Sequence, residues 1–131
     1  MSINVAANDM EFIDSLNFLP MALYKLPGAF GLNELAKGYF PHLFNTKANQ
    51  EIVLPHLPDI HYYNPDGMSP SERKKFVKWY NVHHQDEFNF QSEILNYCRS
   101  NVDILRRCCL QFRSIFMKIT EDESSLGIDP F

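Results

Sequence analysis

Cysteine is scarce in this chain, and its three cysteines lack the spacing of a zinc site. Cys98, Cys108 and Cys109 lie in or beside one apolar, helix-like stretch, and no pair has two residues between its members. An odd number of cysteines without a signal sequence is typical of a reducing compartment. The sequence therefore predicts neither a disulfide framework nor a zinc site built from cysteines.

Long apolar runs are also missing. The N-terminus, Met1–Val5, has no charged region followed by an apolar stretch, so the sequence does not predict secretion. No apolar stretch approaches the ~20 residues that a membrane helix needs. We therefore expect a soluble, intracellular protein without membrane contact, and the sequence does not distinguish nucleus, cytoplasm and organelle.

A strong charge of one sign is absent. The chain has 12 Lys and Arg against 16 Asp and Glu, a net charge of −4, so as a whole it is not a general polyanion binder. Its cations nevertheless fall into two runs that could form local basic faces. These are Arg73, Lys74, Lys75 and Lys78, and then Arg99, Arg106, Arg107, Arg113 and Lys118. The plainer interpretation of both runs is a solvated helix surface.

The histidines form no metal-binding pattern. None belongs to a motif such as His-Glu-x-x-His, and the chain also lacks a glycine-rich phosphate loop and a Gly-x-Ser-x-Gly elbow. We therefore expect no metal site built from them. The five histidines are His42, His56, His61, His83 and His84.

The length of 131 residues and the hydrophobic fraction of 45% predict one domain with a real core. We expect that domain over residues 10–120. Residues 1–9 are expected to be disordered, and residues 121–131 are expected to form a linker towards a further domain.

Short elements are predicted in the first half of the chain. Met10–Leu16 has the character of a strand, Leu19–Leu26 of a helix ended by a proline–glycine pair, and Gly31–Lys37 of a second short helix. Residues 38–68 contain four prolines and the turn sequence Asn64–Gly67, so we expect a long loop or insertion there.

Longer helices are predicted in the second half. Ser69–Glu72 is a capping box with proline at the first helical position, and a helix should run from it to about Val82. We expect it to bury Phe76, Val77, Trp79 or Tyr80 along one side. Apolar residues then recur every three or four positions over residues 86–119. Ser100-Asn101 interrupts that pattern and predicts a break with a cap for the second segment.

Three short motifs have chemistry of interest. They are Tyr97 with Asn101, the segment Asp14–Leu19 with Ser15, Leu16 and Leu19, and Lys37 before Gly38-Tyr39-Phe40. Each also has a plainer interpretation when it is taken alone. The first could be a core tyrosine and a helix cap, the second a strand end followed by a cap, and the third the C-terminus of a helix.

Together the motifs resemble the exonuclease domain of family B DNA polymerases of the protein-primed type, known from viruses, organellar plasmids and large self-synthesising transposons. They occur in the family's order, and similar intervening stretches extend the resemblance over about residues 10–131. The resemblance implies an α/β, ribonuclease H-like fold, of which this chain is the C-terminal half of the 3′–5′ exonuclease domain. Such a fragment should be mostly helical, with one or two short strands.

The resemblance also implies roles for Tyr97 and Asn101. The family has Tyr-x-x-x-Asp, in which the aspartate binds a catalytic metal and the tyrosine positions the attacking water. Here Asn101 replaces the aspartate, and a two-metal site needs carboxylates. Asp103 lies about 200° further around a helix and cannot simply substitute. We therefore expect a degenerate metal-ligand position and no metal held by this chain.

The other two motifs imply contacts with DNA. Ser15, Leu16 and Leu19 match a Ser/Thr-Leu-x-x-hydrophobic motif that is implied to hold the single-stranded 3′ end and to contact a terminal protein. A hydroxyl suits a phosphate or sugar, and an apolar side chain suits a base. Lys37 matches a Lys-x-x-hydrophobic motif whose lysine is implied to lie beside the scissile phosphate.

The family's first two exonuclease motifs would precede Met10, and the carboxylates of the polymerase site would follow Phe131. We therefore expect a fragment of a DNA-directed DNA polymerase that is inactive alone. Its parent would act on a primer-template with deoxynucleotides and Mg²⁺. The alternative is a non-catalytic module that binds single-stranded DNA or a protein, and a third possibility is a gene remnant without activity.

Overall fold

The computed structural model describes residues 2–5, 10–32, 35, 37–121 and 126–131. The chain divides into two units. Unit 1 consists of Met1–Lys37 together with Asn101–Phe131, and unit 2 consists of Gly38–Ser100.

Unit 1 begins with two antiparallel strands. Strand β1, Ser2–Val5, pairs with strand β2, Met10–Ile13, so that Ser2 lies opposite Ile13. Strand β1 thus lies within residues 1–9, which the sequence predicted to be disordered. The predicted strand Met10–Leu16 exists but ends early, because Asp14 begins a 3-10 turn.

The helix predicted over Leu19–Leu26 is wrong in position. The chain forms a 3-10 turn at Leu23–Lys25 and then helix α1, Leu26–Ala29. Pro27 had indicated the end of the helix, yet it lies in the first turn of α1. Proline is tolerated there because the N–H that it lacks would have no partner within the helix.

Helix α1 ends in a left-handed glycine. Gly31 has a φ of 70°, and its N–H donates to the Gly28 carbonyl at 3.4 Å while the Leu32 N–H donates to the Pro27 carbonyl at 2.8 Å. This Schellman arrangement satisfies the last carbonyls of the helix. The helix predicted from Gly31 to Lys37 is not seen at Leu32, Leu35 or Lys37, and its other interior residues 33, 34 and 36 lie outside the described residues.

The core of unit 1 joins its two chain segments. Its buried residues are Leu19, Leu26, Ile104 and Cys108. The three cysteines are free thiols, and burial raises the pKa of the Cys108 thiol. A neutral thiol packs as a small apolar side chain, so Cys108 acts here as a core residue.

Unit 2 opens with the irregular segment that its prolines predicted. Residues 38–68 hold several 3-10 turns and the two-residue strand β3, Val53–Leu54. Asn64 has a φ of 53° and separates the 3-10 turns Ile60–Tyr63 and Pro65–Gly67. Asparagine tolerates this left-handed conformation better than most residues, which confirms the predicted turn.

Helix α2, Pro70–His83, confirms the prediction from the capping box. The Ser69 hydroxyl accepts a hydrogen bond from the Glu72 N–H at 3.4 Å, and Pro70 occupies the first turn. Phe76 is 0% exposed, as its place on the apolar side predicted. Local chemistry thus fixes the start of this helix.

A second antiparallel pair leads into the last helix. Strand β4, Phe88–Asn89, pairs with β3, and the Asn89 side-chain oxygen accepts from the Ser92 N–H at 3.1 Å. The described residues therefore contain four short strands in two pairs, more than the one or two expected, in a mostly helical chain. One cluster of buried residues in unit 2 consists of Phe40, Phe44, Leu57, Phe88 and Phe90.

Helix α3, Phe90–Thr120, is continuous, so the predicted break at Ser100-Asn101 is wrong. Serine and asparagine inside a helix cost only up to ~0.7 kcal/mol per residue, which a long apolar stripe can override. In unit 2 the stripe provides Phe90, Ile94 and Tyr97. In unit 1 it provides Ile104, Cys108 and Phe112. None of the helices in the described part of the chain is both long and apolar enough to cross a membrane.

Candidate functional site

A tight turn positions Ser15 and Leu16. One side-chain oxygen of Asp14, Oδ1, accepts a hydrogen bond from the Leu16 N–H at 2.9 Å. The Ser15 carbonyl accepts from the N–H groups of Phe18 at 3.0 Å and Leu19 at 2.8 Å. Aspartate is favoured before such a turn because its side chain replaces a missing backbone partner. Leu16 is left 58% exposed, and Ser15 is half-buried.

The turn is fastened to the core of unit 1 through Leu19. This side chain is 4% exposed and packs with Leu26, Ile104 and Cys108. Leu19 therefore anchors the turn to the core, and Leu16 provides most of the exposed apolar surface of the motif. A DNA-binding role for Leu19 stays a prediction.

Lys37 is exposed and lies at the end of the first segment of unit 1. The glycine after it does not have the left-handed φ of a C-cap, and its added Cβ would meet nothing within 4 Å. The predicted helix C-terminus at this lysine is therefore not supported.

Tyr97 lies in unit 2, where it contacts two residues of the irregular segment. Its hydroxyl is 3.2 Å from Nε2 of His42. Its ring is stacked on that of Phe40 with 5.4 Å between centroids. None of the three sequence motifs includes His42. Only the fold brings it to Tyr97, which is 55 positions away.

Asn101 is an interior residue of α3 and not the cap that its sequence context predicted. Its side-chain oxygen Oδ1 is buried and has no hydrogen-bond partner among the described residues. Unsatisfied buried polar atoms are uncommon in native proteins and call for an explanation. Asn101, which the motif with Tyr97 singled out, is therefore unusual on physical grounds as well.

Comparison with known proteins decides the family. A sequence model of the family described as DNA polymerase type B, organellar and viral, matches residues 1–126. The chain belongs to this family. Comparison with curated proteins and with solved structures gave no match.

Membership of the type B DNA polymerases confirms the family that the motifs indicated, and it implies DNA as the partner of the parent enzyme. All three motifs fall within the matched residues. The assignment of Ser15, Leu16, Leu19, Lys37, Tyr97 and Asn101 to individual roles stays a prediction.

Polymerases of this family generally use divalent metal ions, but the described residues do not fit Mg²⁺. Asn101 offers one neutral amide oxygen where a carboxylate is expected. Asp103 accepts from Nη2 of Arg106 at 2.8 Å. Among the residues that the structure describes, no group of three or more His, Cys, Asp or Glu could hold a metal ion. Mg²⁺ prefers several oxygen ligands with carboxylates among them, and the described residues do not supply such a set.

The buried oxygen of Asn101 leads to a prediction about stability. We expect Asn101→Leu to leave the free energy of unfolding unchanged or raise it by up to about 1 kcal/mol, since the unsatisfied atom is removed. We expect Asn101→Asp to lower it by roughly 1–3 kcal/mol at neutral pH, because a charge is placed on an unpartnered buried atom. Urea denaturation of the two variants measures both changes.

The matched control is Asn96→Asp, the same change at an exposed position of the same helix. It should change the stability by less than about 0.5 kcal/mol. Equal losses in the two aspartate variants would show that the environment of Asn101 is not special.

Proposed function

We propose that this chain is the part of a type B DNA polymerase that holds the single-stranded 3′ end of DNA in its 3′–5′ exonuclease domain. The domain would have a ribonuclease H-like fold, and residues 10–120 would belong to it. The observation that carries the proposal is the family match over residues 1–126, which contains the three motifs in the family's order.

The turn after β2 supports the DNA-holding role. It offers a serine hydroxyl and an exposed leucine side by side on backbone that Asp14 and Leu19 fix in place. A hydroxyl can bind a phosphate or sugar oxygen, and an apolar side chain can lie against the face of any base. Such contacts do not depend on base identity, as a domain that accepts any 3′ end requires.

Lys37 and Tyr97 would each have a role in the complete enzyme. The exposed lysine would supply a compact positive charge to a phosphate. The tyrosine hydroxyl, held by His42 at 3.2 Å, would orient the attacking water. In that enzyme the partners would include a primer-template, deoxynucleotides and a terminal protein, and Mg²⁺ would be bound largely by residues other than those described here.

The neutral Asn101 favours a second candidate, a non-catalytic module that binds single-stranded DNA or a protein. Without a carboxylate at this position, the described residues retain features suited to binding but not a set suited to metal-assisted cleavage. This candidate shares the binding surface of the first and differs from it in predicting no cleavage in any context.

A binding assay tests the surface common to both candidates. The chain should bind a fluorescent single-stranded oligonucleotide, and Leu16→Ala should weaken binding about fivefold, since lost apolar contact of this size is worth roughly 1 kcal/mol. Fluorescence anisotropy measures the affinities. Leu43→Ala is the matched control, because Leu43 is 56% exposed and lies in the other unit.

Equal losses in the Leu16 and Leu43 variants, or no binding at all, would contradict the proposed surface. The same preparation is incubated with a labelled primer-template, four deoxynucleotides and Mg²⁺ or Mn²⁺. We expect neither extension nor shortening of the primer. Metal-dependent activity that co-purifies with the chain would contradict the proposed lack of catalysis.

A further inference from the structure

Residues 126–131, which we call the strap, are held against the C-terminal end of helix α3 within unit 1. Gly127 has a φ of 85°, and a Cβ at this position would lie 2.2 Å from the Met117 carbonyl oxygen. Only glycine can approach the helix backbone so closely in this conformation. The N–H of Ile128 donates to the Thr120 hydroxyl oxygen at 2.8 Å. The strap thus begins with backbone contacts to the last turn of α3.

Asp129 fastens the middle of the strap through both of its carboxylate oxygens. Oδ2 accepts a hydrogen bond from Nε of Arg113 at 2.8 Å and another from Nη2 of the same guanidinium. Oδ1 accepts from the Phe131 N–H at 3.2 Å. The Arg113 guanidinium holds the pKa of the Asp129 carboxyl below its usual range, so this group is ionised at neutral pH. Hydrogen bonds to an ionised group are stronger than neutral ones, and Asp129 therefore fixes the backbone that carries Phe131.

The Phe131 ring contacts two other aromatic rings of unit 1. Its centroid is 5.0 Å from that of Phe18 with 70° between the ring planes, and 5.8 Å from that of Phe112 at 55°. Edge-to-face pairs of this kind are stabilising. Phe131 is 45% exposed, so more than half of its surface is covered. Phe112 belongs to α3, whereas Phe18 belongs to the turn that carries Ser15 and Leu16.

Phe18 connects the strap to the backbone of the turn. Its N–H donates to the Ser15 carbonyl at 3.0 Å and so closes the 3-10 turn, and its side chain packs against the buried cluster of unit 1. Leu16 in the same turn is 58% exposed, so the strap contacts the turn without covering its apolar surface. A surface that is already held in one conformation loses less conformational freedom when it binds a ligand.

We propose that the strap positions the turn Asp14–Leu19 for single-stranded DNA, and that Phe131 is a positioning residue that acts through Phe18. The part of the inference that concerns DNA rests on the proposed function. The part that concerns the turn does not, because the strap holds the turn whether or not DNA is bound. Two measurements therefore test the two parts separately.

Amide hydrogen exchange, measured by NMR on the free chain, tests the hold on the turn. Phe131→Ala should make the N–H groups of Phe18 and Leu19 exchange about fivefold faster, since an edge-to-face aromatic contact is lost. Gly127→Ala should have at least as large an effect, because a Cβ has no room there. Leu126→Ala is the control, since Leu126 is 88% exposed and belongs to the same strap. Unchanged exchange in the first two variants, or an equal change in the control, would overturn the proposal.

Fluorescence anisotropy with a single-stranded oligonucleotide tests whether this hold matters for binding. Phe131→Ala should weaken binding about threefold in the unaltered chain and less than about twofold in the Leu16→Ala background, because its effect passes through the turn. Leu126→Ala should leave the affinity unchanged. Circular dichroism verifies that each variant is folded.

The outcomes separate the possible roles of Phe131. A full threefold loss in the Leu16→Ala background would mean that Phe131 contacts DNA itself. Unchanged affinity together with faster exchange at the turn would mean that the strap has only a structural role. Either result would overturn the positioning role. No binding by the unaltered chain would instead contradict the DNA-holding function, and hydrogen exchange would still decide whether the strap holds the turn.

Discussion

An intact relative that carries residues 10–120 of this chain in place of its own is expected to extend primers normally and to lose most of its exonuclease rate. This expectation rests on the proposed metal-ligand position of Asn101, where a neutral amide in place of a carboxylate would weaken metal binding in the exonuclease site and leave the polymerase site unaffected. Asn101→Asp in the same graft should restore shortening of the primer by about 100-fold or more, since a metal ion provides several kcal/mol of charge stabilisation. Single-turnover assays on labelled DNA measure the two rates separately.

The control for this graft is Asn96→Asp, which adds a carboxylate to an exposed position of α3. It should leave the exonuclease rate at the level of the unaltered graft. Equal rates with asparagine and aspartate at position 101 would show that Tyr97 and Asn101 are ordinary helix residues and that their alignment with the family's Tyr-x-x-x-Asp motif is wrong.

Phe76→Ala is expected to lower the free energy of unfolding by about 3–5 kcal/mol, the range for truncating a buried phenylalanine. Phe76 is 0% exposed, and its ring lies 5.1 Å from that of Tyr39 and 5.2 Å from that of Tyr63. The cavity left behind would deprive these aromatic rings of a partner. Equilibrium urea denaturation followed by tryptophan fluorescence is suitable, because Trp79 is the only tryptophan in the chain.

Val82→Ala provides the comparison on the same helix, since Val82 is 70% exposed. It should change the stability by no more than about 0.5 kcal/mol. A loss below 1 kcal/mol for Phe76→Ala, in a transition that stays cooperative, would mean that this ring does not stabilise unit 2.

The parts of the fold that were predictable depend on neighbours in sequence. Helix α2 starts where Ser69 and Pro70 predicted, because a cap and a proline act within one turn. The break predicted at Asn101 failed for the opposite reason. That prediction rested on a local preference of a few tenths of a kcal/mol. Packing outweighs this preference, because each end of α3 contributes residues to the core of its own unit, and the sequence does not show that packing.

The candidate site likewise has a part that could be predicted from neighbours in sequence and a part that could not. The sequence placed Ser15 and Leu16 beside a capping aspartate, and the turn there is local. The burial of Leu19 against Ile104, and the contact of Tyr97 with His42, join residues far apart in the chain. Such contacts follow from tertiary packing, so neither the supporting role of Leu19 nor the histidine beside Tyr97 could be read from spacing.

The order of the two units along the chain has a consequence for how the protein folds. Unit 1 is assembled from two segments, and the 63 residues from Gly38 to Ser100 lie between them. Closing a loop of flexible chain costs conformational entropy that grows with its length. If residues 38–100 have already folded, fewer flexible residues separate Leu19 from Ile104, and the entropic cost of that contact falls. Folding of unit 2 therefore favours the folding of unit 1, and a mutation in unit 2 can slow the folding of unit 1.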